Sequence, residues 1–168
     1  MMLDVAIEAD PEWDSSTGWE QLVSRAAQAA VAESAFPQLT ASVRPVELSV
    51  RLTSDAEVRL LNAHWRRKDQ PTNVLSFPMA ERYELEQGDE DGPELLLGDL
   101  VLARGVCERE AAEKSIPIED HAAHLVVHGT LHLLGYDHDS DADAGDMEQR
   151  ETRALARLGI ADPYRGDR

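Results

Sequence analysis

Cysteine is almost absent from this chain, since Cys107 is its one cysteine in 168 residues. An intrachain disulfide and a metal site built from several thiolates are therefore excluded. Long apolar runs are also missing, because no stretch approaches the roughly 20 apolar residues that a membrane-spanning helix needs. The first residues, Met1-Met2-Leu3-Asp4, lack the basic region and apolar block of a secretory signal. The sequence therefore predicts a cytoplasmic protein with no membrane partner.

Positive charge is scarce as well, with 16 basic against 33 acidic residues and a formal net charge of -17. This balance is unusual for a protein that binds nucleic acid. Much of the acidity lies in residues 81–94 and 137–151, which we interpret as solvated surface. Outside these runs, Arg66, Arg67 and Lys68 form a basic cluster. Any contact with RNA is therefore expected to be local, at this cluster.

Three histidines near the carboxyl-terminal third of the chain have the spacing of metal ligands. His128 and His132 are four residues apart, which on a helix places both imidazoles on one face. Gly135 suits the left-handed end of such a helix, after which the chain can turn back and bring His138 to the same point. Three histidine ligands with an open fourth position are typical of catalytic zinc sites. The pattern predicts one Zn²⁺ held by His128, His132 and His138.

The same spacing occurs in the metzincin proteases, which carry a glutamate directly after the first histidine as their general base. The corresponding residue here is Gly129, which cannot accept a proton. The motif therefore argues against peptide hydrolysis. A metal-dependent hydrolase of another substrate, such as a peptide, nevertheless stays an alternative interpretation.

Residues 128–138, with the sequence HGTLHLLGYDH, resemble the signature of the YbeY-type endoribonucleases, the bacterial rRNA maturation factors. Residues 61–78, LNAHWRRKDQPTNVLSFP, resemble a second signature of that family, and residues 97–100, LGDL, resemble a third. The resemblance covers most of the chain from about residue 46 to 160. It departs from the family at Arg67, where members often have glycine, and in the acidic insertion after Pro78.

This resemblance implies a zinc-dependent endoribonuclease that cuts single-stranded RNA. It implies roles in rRNA processing, at the 3′ end of 16S rRNA, and in ribosome quality control. The implied partners are an rRNA precursor and the ribosome or ribosomal proteins, and no DNA is expected. A further alternative is a ribosome assembly factor whose zinc is structural, in which case a fourth protein ligand should close the site.

The expected catalytic residues are Arg66 and the metal ligand His128. A guanidinium can neutralise the negative charge that a phosphodiester gains in its transition state, and the resemblance points to Arg66 for this role. Arg67 and Lys68 are candidate substrate contacts. Asp99 is either a carboxylate that orients a ligand histidine through its other ring nitrogen or an ordinary residue of a strand bulge.

Hydrophobic periodicity predicts a single domain of class α+β over residues 1–168, a mixed four-stranded sheet packed with about five helices and with the zinc-binding helix central. The predicted strands lie near residues 3–7, 46–52, 73–79 and 95–103. The predicted helices follow capping boxes at Thr17–Glu20 and Ser54–Glu57, or lie near residues 104–115, 117–134 and 143–158.

Several local features accompany this fold prediction. Gly98 interrupts the last strand and indicates a bulge or a close approach of backbones. Trp65 is expected to face inward from its helix. Residues 81–94 are expected to form an acidic loop, and residues 161–168 a loose tail.

Overall fold

A mixed four-stranded sheet forms the centre of the protein. The computed structural model describes residues 3–14, 17–88 and 90–164. The strands are β1 (Asp4–Ala9), β2 (Val46–Thr53), β3 (Val74–Pro78) and β4 (Leu95–Ala103). Their order is β1-β2-β4-β3, with β1, β2 and β4 parallel and β3 antiparallel to β4 at the sheet edge. The predicted four strands and mixed sheet are therefore confirmed.

Six α-helices and one 3-10 helix, Pro37–Ala41, surround this sheet in the described residues. They are α1 (Trp19–Ala32), α2 (Asp55–Arg66), α3 (Arg82–Glu86), α4 (Arg104–Lys114), α5 (Ile118–Leu133) and α6 (Asp141–Arg157). The helix that was not predicted is α3, which lies inside the acidic run interpreted as a loop. A capping box between Glu81 and Glu84 starts it, and the buried Leu85 anchors it. Five residues are too few to show helical periodicity.

The two faces of the sheet carry different helices. Leu100 and Leu102 of β4 pack into the core that contains α1, α5 and α6. The alternate residues Val101 and Ala103 pack instead against Val58 of α2. Because successive strand residues point to opposite faces, α2 and α5 lie on opposite sides of the sheet. We call these the α5 face and the α2 face.

The helix that carries the histidine motif is the most buried helix of the fold, as predicted. Most residues of α5 are inaccessible, and its packing residues Ala122, Leu125, Val126 and Leu133 all belong to the main core. It packs tightly on the sheet at Gly129, where an added Cβ would lie 2.8 Å from Leu100 Cδ2 and 3.2 Å from Ser76 Oγ. A larger side chain there would require Leu100, Ser76 or the helix itself to move.

A bulge in β4 lies next to the end of this helix. The register between β2 and β4 shifts between Glu47 and Leu48, and Gly98 on β4 has φ +141°. A Cβ at Gly98 would lie 2.3 Å from the backbone oxygen of Phe77 and 2.8 Å from Leu133 Cδ2. Only glycine allows this approach, so the prediction made for Gly98 is confirmed.

Three local predictions need correction. Helix α1 begins after Gly18, which has φ +71° and gives no side-chain cap, so the capping box predicted at Thr17 does not form. Trp65 was expected to face inward but is 64% exposed, because helix α2 covers the sheet only in part. The tail from Ala161 is held by Tyr164, whose hydroxyl donates to Glu151; residues 165–168 lie outside the described residues.

The cap predicted at Ser54 is confirmed, since its hydroxyl accepts from the backbone N–H of Glu57 at 3.2 Å. Among the helices of the described residues, none combines the length and apolar character needed to cross a membrane.

Candidate metal centre

The end of α5 has the geometry that the motif predicts. Leu134 ends the helix, and Gly135 follows in a left-handed conformation with φ +94°. The N–H of Gly135 donates to the carbonyl of His132 and that of Tyr136 to the carbonyl of Leu131, both at 3.0 Å. These two bonds form a Schellman motif. The chain therefore reverses within a few residues and returns His138 towards the helix.

The three histidines lie together in space. One ring nitrogen from each of His128, His132 and His138 lies within 4.8 Å of the others. The Nε2 atoms of His128 and His132 are 3.0 Å apart, close to the roughly 3.3 Å expected for two ligands on one tetrahedral zinc with bonds of about 2.0–2.1 Å. His128 and His132 are half-buried, whereas His138 is exposed, so the site opens to solvent on one side.

The remaining nitrogens of the two helical histidines are held by fixed acceptors. His132 Nδ1 donates to the backbone oxygen of Tyr136 at 2.8 Å, and His128 Nδ1 contacts Oε1 of Glu151. These acceptors place the hydrogens on Nδ1 and leave the Nε2 lone pairs facing the cluster. Burial and the neighbouring His128 lower the pKa of His132, which keeps this ring neutral and able to bind a metal.

Glu151 is the site residue that the sequence did not reveal. It lies on α6, is 1% exposed, and accepts from Tyr164 at 2.5 Å as well as from His128. Burial raises the pKa of Glu151, but the hydrogen bonds from His124 and His128 outweigh it and hold the pKa at about 2. Glu151 is therefore a charged, fully buried carboxylate that orients His128.

One signal for this residue exists in the sequence. Glu151 follows the buried Met147 by four residues and precedes the buried Leu155 by four, so it occupies the apolar face of α6. An acid in the middle of an apolar face needs a buried partner. Because residues 137–151 are rich in acids and were interpreted as solvated surface, Glu151 did not stand out among them.

His124 completes the network behind the cluster. Its Nε2 lies 3.2 Å from the hydroxyl of Tyr164 and 3.5 Å from Oε1 of Glu151. It does not belong to the group of three converging histidines. Its contacts therefore give His124 a structural role behind the cluster. Burial, together with the charge of Glu151, raises the pKa of Tyr164, so the phenol keeps its proton.

Asp99 does not have the orienting role that the sequence suggested as one possibility. It lies on β4 two residues before Val101 and so points to the α2 face, away from α5. Its side chain is exposed and lines a groove there. Glu151 and the backbone oxygen of Tyr136 hold the histidine nitrogens instead.

The basic cluster lies at the end of α2, across the edge strand β3 from α5. Arg66 is the last residue of the helix, and Arg67 caps it in a left-handed conformation with φ +58°. Arg66, Arg67 and Lys68 are all exposed. In the described part of the chain, none of their side chains forms an ion pair or a contact with the three histidines. The neighbouring carboxylate of Asp69 forms an ion pair with Arg59, in which Oδ1 lies 2.7 Å from Nε.

Comparison with known proteins places the chain in a family. A sequence model described as Endoribonuclease YbeY matches residues 7–159. Two proteins named Endoribonuclease YbeY, from Rhizorhabdus wittichii and Novosphingobium aromaticivorans, are 52% and 51% identical to it. The alignments cover 97% of both chains in the first case, and 94% of this chain and 93% of the relative in the second.

The fold has a match among solved structures. The solution structure of TM1509 from Thermotoga maritima aligns with a TM-score of 0.55 and 23% identity, over 95% of this chain and 97% of the other. The sequence matches, which extend over nearly the whole chain, show that this protein belongs to the Endoribonuclease YbeY family.

Proposed function

We propose that this protein is a zinc-dependent endoribonuclease that cuts single-stranded RNA and acts in rRNA processing, including maturation of the 16S rRNA 3′ end, and in ribosome quality control. One observation carries the proposal, namely three histidine nitrogens that converge within 4.8 Å. Family membership supports RNA as the substrate. Ribosomal partners and a cytoplasmic location are part of the same proposal.

The donor set of the cluster fits zinc. Three neutral imidazoles suit this ion, and two of them have their Nδ1 hydrogens already held by Glu151 and by the backbone of Tyr136. A zinc ion bound there would activate water and polarise a phosphoryl oxygen. His128, His132 and His138 would hold it, and the exposed side of the cluster at His138 would admit the scissile phosphate.

Arg66 is the proposed partner of the metal centre in catalysis. Its long side chain is exposed at the end of α2 and carries no ion pair to the described residues, so it is free to move towards a bound phosphate. The planar guanidinium would donate two hydrogen bonds to the phosphoryl oxygens as their charge increases. Arg67 and Lys68 would bind neighbouring phosphates. RNA would then be attracted to this cluster, although the protein as a whole is acidic.

The two alternatives have less support. A peptidase of this type needs a glutamate after the first histidine, and a side chain at Gly129 would crowd Leu100 and Ser76. A structural zinc site needs a fourth protein ligand. Within residues 3–14, 17–88 and 90–164, no fourth histidine, cysteine or carboxylate joins the cluster.

The proposal is tested by incubating zinc-loaded protein with single-stranded and with base-paired RNA of matched length, alongside the His132→Ala variant. The wild type should cut the single-stranded substrate, and the variant should be reduced to background. A peptide library assayed in parallel checks the alternative substrate. Equal cleavage by wild type and His132→Ala would show that the nuclease activity does not come from this site.

A further inference from the structure

A groove on the α2 face contains the one exposed tryptophan of the chain. Trp65 is 64% exposed, whereas Trp13 and Trp19 are buried in the core. The groove has a volume of about 780 Å³ and is lined in part by Leu61, Trp65, Phe77, Met79, Asp99 and Val101. An exposed indole beside apolar residues such as Leu61, Phe77 and Met79 offers a surface that a planar ligand can cover.

The indole of Trp65 is held in place although it is exposed. Phe77 of the edge strand packs against it edge-on, with ring centroids 6.3 Å apart and an angle of 66°. His64 packs on it at 4.7 Å and 89°. Both contacts are T-shaped, so among the described residues no ring recorded against the indole lies parallel to it. A supported aromatic ring of this kind is the element on which single-stranded nucleic acids stack their bases.

The charges around the groove favour a polyanion at one end. Arg66, Arg67 and Lys68 follow Trp65 directly, and in the described part of the chain no acid pairs with them. Asp99 and Glu8 line the groove itself, together with Arg51, whose guanidinium is paired with Glu57 at 2.6 Å. Phosphates are therefore attracted to the cationic end beside Trp65 and repelled from the interior of the groove, which can receive an uncharged base.

We propose that the α2-face groove binds an unstacked base of a single-stranded RNA, which stacks on Trp65 while the adjoining phosphates contact Arg66, Arg67 and Lys68. This inference rests on the proposed function and adds the reason for single-strand selectivity. A base within a duplex is already stacked on both sides and cannot enter the groove.

The same arrangement gives the RNA a path to the metal centre. Strand β3 is the edge of the sheet and separates the groove from α5, which packs on the other face. A strand whose base lies in the groove can continue around this open edge towards His128, His132 and His138. The base in the groove thereby fixes which phosphate reaches the histidines.

Tryptophan fluorescence gives a direct test, because the exposed Trp65 is the residue that solution quenchers and ligands can reach. The zinc-loaded full-length protein is titrated with a short oligoadenylate, with RNA integrity checked on a gel after each titration. We expect quenching in the wild type, and about tenfold weaker RNA binding in Trp65→Leu by an independent anisotropy assay. Trp65→Tyr should recover most of the affinity, because a phenol also stacks.

Two controls separate stacking from a general loss of binding. Tyr83→Leu removes an aromatic residue of similar exposure, 61%, on α3 and should leave RNA affinity unchanged. An oligomer with the same phosphates but abasic sugars should bind wild type and Trp65→Leu equally, because it has nothing to stack.

The outcomes distinguish this inference from the proposed function. If wild-type protein neither binds nor cuts RNA, the proposed function itself is wrong. If wild type binds and cuts RNA but Trp65→Leu binds oligoadenylate equally well, the stacking proposal is overturned. The groove would in that case serve another ligand, such as a protein, and co-purification with ribosomal proteins that depends on Trp65 would identify it.

Discussion

The two faces of the sheet differ in how firmly contacts with other residues hold their side chains. On the α5 face, the histidine cluster is supported by a buried network in which Glu151, Tyr164 and His124 hold one another behind His128. On the α2 face, one short helix leaves a groove, an exposed tryptophan and three cations that form no ion pair with the residues the structure describes. The comparison teaches that a metal site needs ligands fixed before the metal arrives, whereas binding a flexible strand needs access.

The largest effect is expected where the α5 face is most tightly packed. Replacing Gly129 by glutamate restores the protease-type motif but forces a side chain against Leu100 and Ser76. The free energy of unfolding should fall by about 3 kcal/mol or more, because the change combines overpacking with a buried charge. Chemical denaturation measures this, and no peptidase activity should appear.

Gly145 of α6 provides the matched control, since beyond its own helix no described residue would lie within 4 Å of a Cβ there. Gly145→Ala should raise stability by about 0.5–1 kcal/mol through helix propensity. A fully stable Gly129→Glu variant that cleaves peptides would show that the α5 face is not packed as described.

The second-largest effect is expected for Arg66 of the α2 face, whose guanidinium is proposed to assist RNA cleavage at the histidine cluster of the α5 face. Arg66→Ala should lower the turnover of RNA cleavage by about 10²-fold with zinc content unchanged, because a charge-stabilising donor is lost. Arg66→Lys should recover only part, since an ammonium lacks two parallel donors. Single-turnover cleavage measures both.

Arg59 is the control on the same helix, because its guanidinium is already paired with Asp69. Arg59→Ala should cut RNA at close to the wild-type rate. The role proposed for Arg66 fails if Arg66→Ala retains full turnover, or if a higher RNA concentration restores its rate completely.

The third prediction tests the buried network itself. Glu151→Gln keeps the size of the side chain but removes the charge that orients His128, so zinc affinity should fall by about 10–100-fold. Tyr164→Phe should give a smaller loss in the same direction. Competition with a chelating dye measures the affinity, and circular dichroism checks the fold.

Asp146→Asn serves as the control, since Asp146 pairs with Arg150 at the surface of the same helix. Its zinc affinity should match the wild type. Unchanged affinity in Glu151→Gln would mean that the histidines are placed by the backbone alone.

The smallest predicted effect is a change in stability at Arg67, the residue at the end of α2 whose backbone is left-handed. Arg67 has φ +58°, a conformation that costs a residue with a side chain about 1 kcal/mol or more relative to glycine. Arg67→Gly should therefore stabilise the protein by about 1 kcal/mol while weakening RNA binding and its salt dependence. Thermal unfolding and RNA titrations at two salt concentrations measure the two effects.

Ser115, which ends α4 with φ +57°, offers the same backbone change away from the groove. Ser115→Gly should give a similar gain in stability and no change in RNA affinity. Equal loss of RNA affinity in both variants would indicate an indirect effect of the backbone.

Local patterns in the sequence predicted the elements that make the site possible. Apolar patterns predicted the strands. The spacing of His128, His132 and Gly135 predicted the helix, the position of its end and the convergence of the three histidines. These features depend on residues close together in the chain, where periodicity and turn chemistry act.

The residues that were missed depend on long-range packing. Glu151 meets His128 from 23 positions along the chain, and Tyr164 meets His124 from 40 positions, which no local pattern encodes. Trp65 was expected to be buried because it follows helical spacing, yet spacing does not show how much of the sheet a helix will cover.

Metal content tests the central claim most directly, that His128, His132 and His138 together hold one ion. Elemental analysis of purified wild-type protein should give about one zinc per chain, released in acid as the imidazoles take up protons. A variant with all three histidines replaced by alanine should hold almost none while keeping its fold by circular dichroism. Full zinc occupancy in that variant would contradict the account.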